Sequence, residues 1–432
     1  MSVFHRARRH DGRYDIDTVR PLAVPSPRYR IVLERMKVAY VLSDDIPIYG
    51  ASGASAHVRN VIEQLKSCGH SVEMIRHGGV NDNDVKDGGS DSDGTSNIGR
   101  VVSSLTPTGI IAMLRGWRRR WNNRRLITRN KHVLARSDIV YERDAYQSFA
   151  LEALTHEADI PWVVECNGIF WDKVRPFPSL SFPDRYRKRH LRKWRRADHL
   201  IAVSNTFKEY IVEQGIASDK VSVVPNGTNF QAHQSVPISE VDEFRRRWGL
   251  QNEIVLGFLG HMLPWHRIDL LIEAMVQLKR KGHKVHALLV GGGRWKEYRS
   301  QSQEMGIDGN MTFTGPLSPK KVPVAVRAMD IGTAPGVYEP GSPLKLFDYG
   351  AAKRPVVAAD QSSVTEIITH HESGLLFRSG SAEQFAEMAS KLIKAKQLQD
   401  KLGRNLYRLV KANYTWKKAG RRIEKKLKQV VI

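Results

Sequence analysis

From Lys37 onward, apolar and polar positions fall into two kinds of segment that alternate. Short apolar runs of strand length, Lys37–Ser43, Ser71–Ile75, Ile139–Glu142, Trp162–Glu165, Leu200–Val203 and Val221–Val224, are separated by segments of helical period. That alternation predicts a parallel sheet covered by helices on both faces, because strands buried on both sides read as near-continuous apolar runs. The turn Pro225–Asn226–Gly227 closes the series, and a polar stretch with one helix, about Ile238 to Trp248, follows. A second series then runs through Ile254–Leu259, His286–Val290, Met311–Thr314, Ile331–Ala334, Val356–Ala358 and Leu375–Phe377. Two doubly wound α/β domains are expected, 36–228 and 229–414, with basic amphipathic helices from Ala382 to the end. Residues 1–35 are rich in Arg and Pro without a sustained period, and are expected to form a poorly ordered basic extension, with Met36 an alternative start. Gly78 to Gly99, acidic and full of Gly, Ser, Asn and Asp, is too polar to bury and reads as a mobile surface loop.

Composition narrows the function. At 432 residues the chain exceeds one hydrophobic core. No apolar run approaches the roughly 18–20 residues of a spanning helix, and the basic start from His5 to His10 leads into no secretory signal, so a cytoplasmic location is expected. Cys68 and Cys166 are far apart and lack neighbours at metal-ligand spacing, which suggests packing roles. The formal charge of +23 directs attention to anionic partners. Basic residues concentrate at Arg115–Lys131, with Trp117 and Trp121, and at Arg185–Arg196, with Tyr186 and Trp194. Such clusters suit peripheral docking on an anionic membrane. The competing reading is a pair of solvated helix faces whose rings dock on the core. No nucleic-acid-binding signature is present.

In open α/β sheets, ligands bind beyond the carboxyl ends of the strands. After the first strand comes Tyr49 to His57, in which seven of nine residues are Gly, Ala or Ser, leading into a helix. Small residues there permit close approach of a ligand to backbone; the alternative is a flexible loop before an ordinary helix. The most informative stretch runs from Glu339 to Ala352. Ser342 followed by Pro343 reads as an N-cap with Pro at the first helical position. Lys345 then falls in the first turn, where the helix dipole disfavours a cation, so an anion is expected beside it. A diphosphate would accept from the N–H groups of Leu344 and Lys345 and pair with the ammonium, while Asp348, one turn on, could take the ribose hydroxyls. The alternative is a Lys345–Asp348 surface pair.

These motifs resemble the GT-B-fold retaining glycosyltransferases of family 4, and the likeness runs through nearly the whole chain from Met36. Its carriers are Gly53-Ala-Ser-Ala-His57-Val, Ala197-Asp-His-Leu-Ile-Ala-Val-Ser204, Val224-Pro-Asn-Gly227, Gly257-Phe-Leu-Gly260 and Ser342-Pro-Leu-Lys-Leu-Phe-Asp-Tyr349 with Arg354-Pro-Val-Val357. The resemblance implies two Rossmann-like domains facing across a cleft and a final helix, about 415–432, that crosses back to the first. It implies a nucleotide-sugar donor on the second domain, held by Gly260, His261, His266, Ser342, Pro343, Leu344, Lys345 and Asp348. A glycan or lipid-linked acceptor would lie on the first, near Gly53, Ala54, Ser55, His57 and Glu142. It also implies retention of configuration, no cofactor and no metal, while the basic clusters favour a lipid-linked glycan precursor as acceptor and hence a role in cell-surface polysaccharide synthesis.

Several positions depart from the family pattern. Asp348 matches the second acid of the family's pair in shortened form, but the first position holds Pro340, with Glu339 one residue out of register as a candidate sugar-facing acid. His261 and His266 stand where the family tends to place Arg and Lys, and phosphate charge would raise the pKa of either. Asn167 stands where a His is common, leaving positioning and leaving-group stabilisation, with Lys345 at their centre, to supply catalysis. A catalytically weak nucleotide-sugar-binding homologue is the main alternative.

Overall fold

A computed structural model of the chain describes residues 35–44, 46–50, 52–77, 108–171 and 183–432. The extension before Arg35 and the polar segment Gly78–Gly99 lie outside the described residues. Among the described residues, twelve strands form two sheets. The first contains β1 (Lys37–Leu42), β2 (Ser71–Arg76), β3 (Ile139–Arg143), β4 (Trp162–Cys166), β5 (His199–Ala202) and β6 (Val221–Val223), in the order β2-β1-β3-β4-β5-β6. The second contains β7 (Ile254–Leu259), β8 (Val285–Val290), β9 (Met311–Gly315), β10 (Ile331–Ala334), β11 (Val356–Ala359) and β12 (Leu375–Phe377), in the order β12-β11-β10-β7-β8-β9. Every pairing is parallel.

Burial explains why these runs are strands. From Val38 to Leu42 every residue of β1 is buried, as a central strand covered on both faces requires, whereas the edge strand β2 leaves Ser71 and half of Glu73 to solvent. Apolar residues on the two faces of each sheet pack under helices. In the first domain one such layer joins Tyr40, Val58, Val61 and Leu65 to Trp416, Ile423 and Leu427. The last three belong to the final helix, Trp416–Val431, which crosses from the second domain and packs along the helix Gly53–Ser67. The two crossings run side by side: Thr228 N–H donates to Tyr414 O at 3.0 Å and Trp416 N–H to Thr228 O at 3.3 Å.

In each sheet the chain reverses its winding at one point, between β1 and β3 in the first and between β7 and β10 in the second. A crevice opens at the carboxyl ends of the strands there. The loops leaving these strands meet across a cleft of about 910 Å³.

Candidate active site

On the second-domain wall, β7 runs into Gly260 and His261, and β8 into Gly291 and Gly292, all lining the cleft. Gly291 has φ +137°, and a Cβ there would lie 2.1 Å from Gly260 O, so the two loops can touch only without a side chain. After β10 the helix Leu344–Ala351 points its N-terminus at the cleft. Pro343, not Ser342, occupies the N-cap position, and no side chain caps the helix. Ser342 fails to cap because its Oγ accepts from Asn226 N–H of the first domain at 3.3 Å, leaving the helix start open.

Lys345 lies in the first turn with 6 % of its surface exposed. Its Nζ sits 4.1 Å from the Phe258 ring centre and 3.2 Å from His266 Nδ1, and among the described residues it pairs with no carboxylate. Burial lowers its pKa to about 7. The surface pair with Asp348 is not formed, because Asp348 Oδ1 accepts from Thr228 Oγ1 at 2.6 Å and His233 Nε2 lies 3.1 Å from it. His261 and His266 also line the cleft, but both are pushed below the ordinary imidazole range. Burial lowers His261; burial and then the Lys345 charge lower His266 further. Their surroundings therefore disfavour the charged form of both rings.

The first-domain wall is built on the helix Gly53–Ser67. Ser52 caps it, its Oγ accepting from Ser55 N–H at 3.1 Å. Gly53, Ala54 and His57 line the cleft, and a Cβ on Gly53 would lie 2.9 Å from Leu344 Cδ1. Ser55 is a correction to the sequence reading. Fully buried behind the wall, it meets Ser52 Oγ at 2.7 Å and is not a lining residue. His57 Nε2 lies 2.8 Å from Glu165 Oε1 at the end of β4, and its ring stands edge-on to Trp416. Burial would raise the Glu165 carboxyl, but His57, Arg143 and the Tyr141 hydroxyl hold it down to about 2. Asn167 lines the cleft and donates to Glu165 O at 3.2 Å.

Two further expectations are corrected. Glu142 is 1 % exposed and outside the lining, bound to Lys193 Nζ at 2.9 Å and Trp162 Nε1 at 3.1 Å, with burial pushing its carboxyl up to about 7. Its neighbour Arg143 lines the cleft instead, 3.2 Å from Asp44 Oδ2. Glu339 is likewise outside the lining, because its carboxylate accepts from Ser363 N–H at 3.3 Å. Arg143, Glu165 and His233 escaped sequence reasoning. The carboxyl-end rule could have found Arg143 and Glu165; nothing marked His233. Among the described residues no group of three or more His, Cys, Asp or Glu could hold a metal ion, and no helix is long and apolar enough to cross a membrane.

Two Rossmann-like domains with their switch points facing across one cleft define the GT-B glycosyltransferase architecture. The sequence model of Glycosyltransferase Family 4 matches residues 51–232, and that of Glycosyl transferases group 1 matches residues 240–409. The chain belongs to the family 4 type of GT-B glycosyltransferases. An uncharacterized glycosyltransferase of Methanocaldococcus jannaschii is 24 % identical over 239 residues, 55 % of this chain and 60 % of its own. The D-inositol 3-phosphate glycosyltransferase of Nocardia farcinica is 26 % identical over 207 residues, 46 % of this chain and 45 % of its own. The chain thus aligns with roughly half the length of these relatives. Among solved structures, Anabaena HepE in complex with UDP and glucose superposes with TM-score 0.68 at 16 % identity, covering 91 % of this chain and 100 % of its own. Sucrose-phosphate synthase of Thermosynechococcus elongatus gives 0.71 at 18 %, covering 92 % and 99 %.

Proposed function

We propose that the chain transfers a sugar from a nucleoside-diphosphate donor on the second-domain wall to a hydroxyl of a glycan or lipid-linked acceptor on the first, in cell-surface polysaccharide synthesis. The observation that carries this reading is Lys345: a buried cation with no carboxylate partner among the described residues, in the first turn of an uncapped helix facing the cleft. A diphosphate supplies the missing charge and accepts from the helix N–H groups. The hard step is departure of that diphosphate, and Lys345 with the open helix start stabilises it as it leaves. Asp348 offers its second oxygen to the ribose. Transfer on the face the donor leaves, with retention, needs no protein nucleophile, and the reading includes turnover without a metal. HepE, whose structure holds UDP and glucose, supports the donor class.

The first domain also presents a surface suited to an anionic bilayer and its lipid-linked acceptor. In the helix Thr108–Arg129, Leu114, Trp117 and Trp121 recur at helical spacing and are exposed beside Arg118, Arg124 and Arg125. Trp194 and Tyr186, by contrast, are core residues. A second reading, a homologue that binds sugar nucleotides with little turnover, is favoured by Glu339 lying outside the cleft. A thermal-shift screen against UDP, GDP, ADP and their sugars tests donor binding, since ligand at 100 times its dissociation constant adds roughly 2.7 kcal/mol. No stabilisation by any of them overturns the donor reading. Stabilisation without sugar release or transfer selects the second.

A further inference from the structure

The domains also touch away from Lys345, at the helix Asn205–Glu213 of the first domain. Its N-cap, Ser204, accepts from Phe207 N–H at 3.0 Å and donates to Pro340 O, across the domain boundary, at 2.6 Å. The two earlier N–H groups of this helix have no partner within it, and a single carboxylate of the second domain takes both. Glu366 Oε2 accepts from Asn205 N–H at 2.8 Å and Asn205 Nδ2 at 3.1 Å. Its Oε1 accepts from Thr206 N–H at 2.6 Å and Thr206 Oγ1 at 2.5 Å. Free N–H groups and helix dipole both favour negative charge at this point.

On its own side, Glu366 ends a segment that holds the loop between β10 and the Lys345 helix. Gln361 Oε1 accepts from Val337 N–H at 2.8 Å and its Nε2 donates to Val337 O at 3.2 Å, while Ser363 N–H donates to Glu339. That loop brings Tyr338, Gly341 and Ser342 into the cleft lining, and Tyr338 Oη accepts from Ile169 N–H of the first domain at 3.0 Å. We propose that Glu366 is a positioning residue for transfer: by gripping the Asn205–Glu213 helix it sets the separation of the two cleft walls, and through Gln361 and Ser363 it couples that separation to the loop of residues 335–343. The consequence for turnover rests on the glycosyl-transfer reading; the consequence for domain separation does not.

The test uses the full chain with Glu366→Gln, Glu366→Ala, Thr206→Val and the combined Glu366→Ala/Thr206→Val variant. Small-angle scattering without ligand reads domain separation, calorimetry reads UDP affinity, and UDP-glucose consumption reads turnover. Glu366→Ala and Thr206→Val each enlarge the radius of gyration, the combined variant no more than Glu366→Ala alone, and Glu366→Gln falls between parent and Glu366→Ala. UDP affinity stays within about twofold while kcat falls about tenfold. An unchanged radius in both single variants, an extended parent, or UDP affinity falling in step with kcat overturns the proposal. If the parent leaves UDP-glucose untouched, the donor probe has failed and scattering alone decides. If Glu366→Ala does not fold, Thr206→Val and Glu366→Gln carry the test.

Discussion

Replacing Lys345 by Met removes a charge and keeps most of the stem, and it moves stability and activity in opposite directions. An unfolded chain holds the lysine proton up to its ordinary value of 10.5, whereas burial lowers Lys345 to about 7 in the folded one. Between those values the unfolded chain binds more protons, so stability rises with pH; the cost of this residue is fully present below pH 7 and fades towards 10.5. At neutral pH that gap corresponds to roughly 4 kcal/mol. Lys345→Met should therefore gain up to about 4 kcal/mol and, at 2–4 °C per kcal/mol for a domain of this size, melt up to roughly 8–16 °C higher. Donor consumption should fall by about 10²–10³.

The same residue sets a pH dependence. The diphosphate binds the ammonium, so the protein must take up a proton where Lys345 is neutral. The protonated fraction falls from about one half at pH 7 to about 1 in 30 at pH 8.5, which weakens donor affinity roughly 15-fold. Calorimetric titration with the nucleotide sugar that stabilises the parent reads this directly, and Lys345→Met should show a flat profile. A variant that melts no higher and turns over normally, or a parent whose affinity is equal at the two pH values, refutes the reasoning.

His57→Leu leaves the buried Glu165 carboxylate without its histidine partner and should cost about 3 kcal/mol near neutral pH in urea unfolding, the loss shrinking as pH falls from 4.5 towards 2, where Glu165 takes up its proton. Gly291→Ala places a Cβ 2.1 Å from Gly260 O at positive φ and should cost about 2–4 kcal/mol, while Gly309→Ala, which meets nothing within 4 Å, leaves the melting temperature near that of the parent. Sedimentation with anionic vesicles should be strong at low salt, weaken as salt screens the arginines, and fall further in Trp117→Ala/Trp121→Ala; equal binding to neutral vesicles refutes membrane docking through this helix.

The architecture was legible because parallel strands buried on both faces announce themselves as apolar runs, and each of the twelve runs became a strand. The small errors have local causes. β5 opens at His199, one residue before the apolar run, because its backbone pairs with Val163 of β4, and its Nε2 meets Ser222 Oγ on β6 at 2.7 Å. The site was legible only where its chemistry is local. Lys345 could be found because its place in a first turn is set by its neighbours in sequence. Ser342 was misread as a cap because the N–H that claims its hydroxyl belongs to Asn226 in the other domain, and Glu339 was misassigned because its partner, Ser363, lies in a separate short helix, Ser362–Thr365. Glu142 was chosen over Arg143 at the end of β3, where successive side chains point to opposite faces and a shift of one residue exchanges an ion pair in the core for a cleft-lining cation.

Sequence placed His261 and His266 where the family tends to have Arg and Lys, which invited a phosphate site with its charge spread over several side chains. Burial works against that expectation, because the packing that shapes the cleft lowers the pKa of both His261 and His266. The full charge then rests on Lys345 and the partial charge on the helix start, and burial brings even Lys345 to the edge of neutrality. A group poised there binds its proton most firmly when an anion arrives beside it, so donor charge and lysine charge reinforce each other. The two histidines should follow at lower pH, and donor affinity should carry the mark of proton uptake as clearly as that of the sugar.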